Sequence, residues 1–170
     1  MLIAHIPGRP IEGVELARVL ADGLGRLDVD DRRVLLVLPD DTRTLPMPEI
    51  FGTLVRSIAP RAGSLAALVA LGTHHPMSPA AVGRHLGAPL GEDGRCAGVG
   101  IAQHRWNDPS ALVRVGTIGR GEVRELSLGM LDEEIPVEVN RAVLDAEFVL
   151  LVGPVFPHEL IGFSGGHKYF

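Results

Sequence analysis

The side chains best suited to chemistry in this sequence fall in three short segments. The first is Asp40-Asp-Thr-Arg43. A guanidinium grips a carboxylate or phosphate through paired hydrogen bonds, and a neighbouring aspartate can orient the site. The same four residues also describe a solvated turn with an Asx cap. The second segment is Gly72-Thr-His-His-Pro-Met77. Glycine permits a sharp turn, and an imidazole titrating near pH 6.5 can both take and give a proton. Adjacent histidines point in different directions. His74, nearer the preceding apolar run, is the candidate acid/base, and His75 is expected to point away. The third segment runs from Pro157-His158 through Gly162-Phe-Ser164-Gly165-Gly166-His-Lys168. Its glycines expose backbone N–H groups that can cradle an anion. It is not a Walker A loop, because His167 separates Gly166 from Lys168. Of the 16 Lys and Arg residues, Lys168 alone is lysine. An amine, unlike a guanidinium, readily loses its proton and forms covalent bonds.

The other candidates carry less chemistry. His5 and His85 read as surface or half-buried residues. His104, within Gln103-His-Arg-Trp-Asn-Asp108, reads as a residue standing behind a site. Cys96, the single cysteine, has no CxxC or histidine neighbour to make it a thiolate nucleophile or a zinc ligand.

These segments are positioned by alternating apolar patterns. Ile11, Val14, Ala17, Ala21 and Leu24 recur at helical spacing, so residues 11–24 are expected to form a helix. Residues 34–38 form an apolar run that reads as a strand buried on both faces. Ile50, Phe51, Leu54, Val55 and Ile58 mark a second helix, closed by Pro60 and Gly63. Residues 64–71 read as the next strand. Ser78 and Pro79 open a short helix to Leu86 as N-cap and first helical residue. Residues 87–95 read as a loop, 97–102 as a strand and 111–128 as a hairpin around Gly119-Arg-Gly121. Pro136 is expected to start a helix with Val139, Ala142, Val143 and Ala146 inward, before a last strand at 148–152. Strands alternating with helices imply parallel βαβ units. The fold class expected is therefore α/β, a three-layer Rossmann-like doubly wound sheet, mostly parallel. In such sheets ligands bind beyond the carboxyl ends of the strands, where Asp40, Arg43, His74, His104 and His158 would all collect.

Composition bounds the function. A chain of 170 residues with 46% hydrophobic content suits one domain with a sizeable core. Net charge is −5 with acids and bases interleaved, so no basic patch suggests nucleic acid. No apolar run approaches the roughly 18–20 residues of a membrane span. The amino terminus lacks the pattern of a signal peptide, and one cysteine fits a reducing compartment, so a cytoplasmic location is expected.

Four segments, in order, resemble a known family. Asp40-Asp-Thr-Arg43, Gly72-Thr-His74, Val137-Glu-Val-Asn-Arg141 and Pro157-His158 through Lys168 are similar to motifs of the amino-terminal domain of the nickel-pincer lactate racemases. The resemblance runs from about residue 30 to the last residue, Phe170. It differs at His75, where the family commonly has arginine, and at Thr44-Leu45, where it commonly has proline. The resemblance implies a racemase or epimerase of a small 2-hydroxy acid. It implies hydride transfer to a nickel-pincer nucleotide tethered at Lys168, beside Ser164, Gly165 and Gly166. His74 and His158 would be the acid/base pair, with Arg43 and Asp40 at the substrate. The family's nickel-ligand histidine and second domain lie downstream of the lysine, which here places them beyond Phe170. No metal ligand is therefore expected in residues 1–170, which would be the cofactor-tethering domain of a larger protein and inactive alone. Two other classes remain open: a non-catalytic Rossmann-like module that binds an anionic ligand through Arg43, and a zinc hydrolase using His74, His104 and His158.

Overall fold

A computed structural model describes residue 4 and residues 7–159 and 162–169, apart from the side chains of His167 and Lys168. His5 and Phe170 lie outside the described residues. In chain order the elements are α1 (Gly13–Leu24), β1 (Arg33–Pro39), α2 (Met47–Ile58), β2 (Ser64–Ala70), α3 (Pro79–Leu86), β3 (Arg95–Cys96), β4 (Val99–Gln103), β5 (Leu112–Ile118), α4 (Arg120–Leu126), β6 (Ile135–Asn140), α5 (Arg141–Asp145), β7 (Phe148–Leu151), β8 (Pro157–His158) and β9 (Gly162–Phe163). A 3-10 turn, Gly166–Tyr169, follows β9.

The central sheet has five strands in the order β3-β4-β2-β1-β7. Strands β4, β2, β1 and β7 run parallel, and only the two-residue β3 is antiparallel. The chain steps from β1 outward through β2 to β4 and then returns to the other side of β1 with β7. That reversal beside β1 is where open α/β sheets form a crevice.

Strand β1 explains why the sheet is anchored there. Six of its seven residues are buried. Val34, Leu36 and Leu38 face the main core with Phe51, Leu54, Ile58, Val82 and Leu86 of α2 and α3. Leu35 and Val37 face the other side with Leu68, Ala142, Val143 and Tyr169. One face thus carries α1, α2 and α3, while the other is covered more thinly by α5 and the 3-10 turn. Truncating Leu36, which is fully buried, to alanine would cost roughly 2–5 kcal/mol.

Several sequence expectations shift. The helical stripe of α1 is Leu16, Leu20 and Leu24, which reach the core, whereas Val14 is exposed. Ser78 caps α3 as expected, accepting a hydrogen bond from the Ala81 N–H. The hairpin expected at 111–128 is absent. Gly119 and Arg120 instead open α4, and β5 pairs antiparallel with β6. The helix expected from Pro136 is strand β6. Ile135, Val137 and Val139 alternate at period two, which suits a ribbon better than a helix. Helix α5 begins only after Asn140, whose side-chain oxygen accepts from the Ala142 N–H. The inward positions Ala142, Val143 and Ala146 still pack on the sheet.

Candidate functional site

Strand β1 ends at Pro39, and the next residue, Asp40, is only 4% exposed. Its carboxylate accepts from the Thr42 hydroxyl at 2.5 Å and from the Thr42 N–H at 3.2 Å, an Asx turn. Strand β2 ends at Ala70 in register with Pro39. The chain then reverses at Gly72, whose φ of +58° suits glycine. His74 is thereby brought back over the end of β1, where its Nδ1 lies 2.5 Å from Asp40 Oδ2. Burial pushes the Asp40 carboxyl up. The hydrogen bonds from Thr42 and His74, with the His74 charge, outweigh burial and hold it below its ordinary value. The carboxylate can only accept, so Nδ1 carries the proton and Nε2 is left as the reactive nitrogen.

Asp40 and His74 line a cavity of about 300 Å³ at the carboxyl edge of the sheet. The wall also includes Arg43, His158, Ser164, Gly165 and Tyr169. Among the described residues, the exposed Arg43 guanidinium has no ion pair or hydrogen bond. His158 arrives on the β8–β9 ribbon, 3.9 Å from the Glu159 carboxylate. The ribbon is tied by Ser164, whose N–H donates to the Phe156 carbonyl at 2.8 Å. Gly165 has a φ of +75°, and a Cβ there would collide with the Pro154 carbonyl, so both conformation and space require glycine. Gly166 has a φ of +66° and starts the 3-10 turn carrying Lys168; it does not line the cavity. The Lys168 side chain lies outside the described portion, and so does Phe170, past which the family resemblance puts the nickel-ligand histidine.

Sequence reasoning thus picked out six residues that share this wall: Asp40, Arg43, His74, His158, Ser164 and Gly165. His75 is exposed and outside the cavity, as anticipated. His104 stands elsewhere. Its Nδ1 accepts from Asn140 Nδ2 at 3.0 Å, tying the end of β4 to the start of α5, and burial lowers its pKa. His85, expected to be a surface or half-buried residue, is half-buried and donates from Nε2 to the Pro39 carbonyl at 2.9 Å, so it braces β1 one residue before Asp40. Among the described residues no three His, Cys, Asp or Glu side chains group as metal ligands, which removes the basis for a zinc site of His74, His104 and His158. Tyr169 was missed. The available signal was that it is the only tyrosine and follows the only lysine.

Residues 17–170 match a family described as the lactate racemase N-terminal domain. The chain belongs to that family. It is also similar to a crystal structure of a protein from Thermotoga maritima, a structural genomics target, with 31% sequence identity and a TM-score of 0.74. That alignment covers 89% of this chain and 36% of the other, so the family member described here spans about a third of that relative's length. No curated protein matches the chain. No helix among the described residues is long and apolar enough to cross a membrane.

Proposed function

We propose that this chain is the amino-terminal, cofactor-tethering domain of a cytoplasmic racemase or epimerase of a small 2-hydroxy acid. The observation that carries the reading is the Asp40–His74 pair at the wall of a cavity shared with Arg43 and His158. The same reading takes the sheet as doubly wound and Rossmann-like, with a thin second layer.

The residues fit such a reaction. Inverting a 2-hydroxy acid needs a group to hold its carboxylate and proton carriers for two opposite faces. Arg43, unpaired among the described residues, holds the carboxylate in a bidentate grip. His74 Nε2 takes the hydroxyl proton of one enantiomer and returns it in the reverse direction, while Asp40 fixes its tautomer. His158, across the same cavity, serves the opposite enantiomer.

The family's nickel-pincer nucleotide also fits. Gly165 leaves no room for a side chain, and the backbone turn that contains Lys168 packs beside β1 and β7. Lys168 would hold the group, with Ser164, Gly165 and Gly166 lining its approach. When bound, it supplies a reversible hydride acceptor. A second domain in the full-length protein, downstream of Phe170, would supply the metal's histidine ligand and the rest of the enclosure.

A non-catalytic module that binds an anion would need Arg43 but not a carboxylate buried behind an imidazole, and that pair favours the catalytic reading. The test is to incubate the cofactor-loaded full-length protein with each pure enantiomer of lactate and of larger 2-hydroxy acids and follow optical purity. Racemisation of at least one acid, lost in His74→Ala, is expected. Unchanged optical purity with every acid, or full activity of His74→Ala, would overturn the reading.

A further inference from the structure

We propose that Tyr169 is a specificity-determining residue of this site, its phenol hydroxyl donating a second hydrogen bond to the carboxylate that Arg43 holds. The proposal rests on the 2-hydroxy acid reading above and names a residue that reading does not use. It stands on three observations. First, Tyr169 lines the cavity with Asp40, Arg43 and His74. Its ring packs on the second face of the sheet against the cluster of Leu35, Val37 and Leu68, so the ring is fixed by apolar packing. Second, the hydroxyl sits over Gly153 and near Gly165. A Cβ on Gly153 would lie 2.6 Å from it, and one on Gly165 would lie 3.4 Å away. The chain thus has no side chain at either of the two positions that would cover the hydroxyl. Third, the hydroxyl has no hydrogen-bond partner among the described residues, yet no buried side-chain oxygen there is left unsatisfied. It is therefore open to the cavity rather than sealed in the core.

The electrostatics agree with that placement. Burial raises the Tyr169 pKa, the Arg43 charge lowers it and the Asp40 charge raises it, so both groups are close enough to be felt. The net rise keeps the phenol protonated at neutral pH, where it is a donor. An anion between a guanidinium and a phenol O–H is held by two donors of different shape. Such a site rejects ligands that lack an acceptor at the second position, because the hydroxyl is then left unpaired.

The sole tyrosine makes this directly measurable, since phenolate absorbance reports Tyr169 alone. The 170-residue chain is titrated with sodium lactate, each enantiomer separately, and the phenol midpoint is followed with and without ligand. Lactate should raise the midpoint, because an anion accepting from the phenol disfavours phenolate. Tyr169→Phe should weaken lactate binding about tenfold, the scale of a hydrogen bond to a charged group, with an unchanged melting temperature. Arg43→Ala should abolish both effects. If lactate binds in an Arg43-dependent way while the midpoint stays put and Tyr169→Phe binds equally well, the proposal fails and the 2-hydroxy acid reading survives. If wild type shows no lactate response, the proposal fails, and racemisation by the full-length protein still decides the 2-hydroxy acid reading; if Arg43→Ala responds like wild type, both fail together.

Discussion

His74 and His158 share one cavity but are held by different kinds of structure. His74 follows β2, a strand paired on both sides, and its ring is pinned by a carboxylate that is itself buried and fixed by Thr42. His158 sits in a two-residue strand of a two-stranded ribbon, beside the exposed carboxylate of Glu159 at 3.9 Å. One imidazole is pre-organised by the core. The other depends on the pairing of β8 with β9 and on the 3-10 turn that packs beside β1 and β7.

The comparison is broken most directly by removing each imidazole in the full-length, cofactor-loaded protein. His74→Ala and His158→Ala should each lower turnover of both enantiomers by roughly 100- to 10,000-fold, the usual contribution of a positioned acid/base. Full inversion uses both groups, so both losses are expected despite the unequal scaffolds. Near-normal racemisation in either variant would move the proton-transfer role elsewhere.

Asp40→Asn sharpens the contrast because it touches only the His74 side. Turnover should fall by up to roughly 10,000-fold, the loss expected when the carboxylate that fixes the tautomer of an acid/base imidazole becomes an amide. A second readout needs no cofactor. The Asp40 carboxyl is held below its ordinary value of 3.8 in the folded chain. The stability it adds is fully present above that value and is lost as pH falls through the lowered pKa. Wild type should therefore lose melting temperature more steeply below about pH 4 than Asp40→Asn does. Parallel pH profiles would mean that the pair is not stabilising the fold.

How much of this was legible in the sequence follows from the same contrast. Asp40 and His74 were readable because β1 and β2 are continuous apolar runs whose ends are marked by Pro39-Asp40 and Gly72. A buried parallel strand leaves a strong local signal. The β5–α4–β6 excursion was misread because its strands are largely exposed, so burial imposes little pattern. Its pairing joins Leu112 to Asn140, a separation that no short-range turn signal marks. Asn140 itself, inside the Val-x-x-Asn-Arg motif, turned out to be a cap and a bridge to His104, roles that depend on tertiary contact. Tyr169 left only a compositional signal, for a similar reason. Only the folded tail shows that its ring lies over Gly153.

Gly165→Ala tests the arm that carries His158. The substitution forces a Cβ against the Pro154 carbonyl at a φ that L-residues rarely adopt. The local cost should be about 1–3 kcal/mol. The central sheet should survive, because its core lies in other residues. A lowered melting temperature with an intact far-ultraviolet spectrum is the expected result, together with reduced turnover. An unchanged melting temperature would show that Gly165 is not packed against the Pro154 carbonyl as described.

The smallest expected effect is at Glu159, and it is the sharpest test of asymmetry. Glu159 is the acidic neighbour of His158 as Asp40 is of His74, so a symmetric enzyme would use the two carboxylates alike. Their surroundings argue otherwise. The Glu159 side chain is 85% exposed and its nearest oxygen is 3.9 Å from the ring nitrogen, beyond hydrogen-bonding range. Exposed ion pairs of this kind contribute about 0–1 kcal/mol, and less as salt rises. Glu159→Gln should therefore change turnover by less than about fivefold. That small change should shrink further in high salt, whereas the loss in Asp40→Asn should persist, because the buried Asp40 carboxylate is poorly screened. A salt-resistant loss in Glu159→Gln as large as that in Asp40→Asn would reverse the picture. It would mean that Glu159 orients His158 in the working protein as Asp40 orients His74.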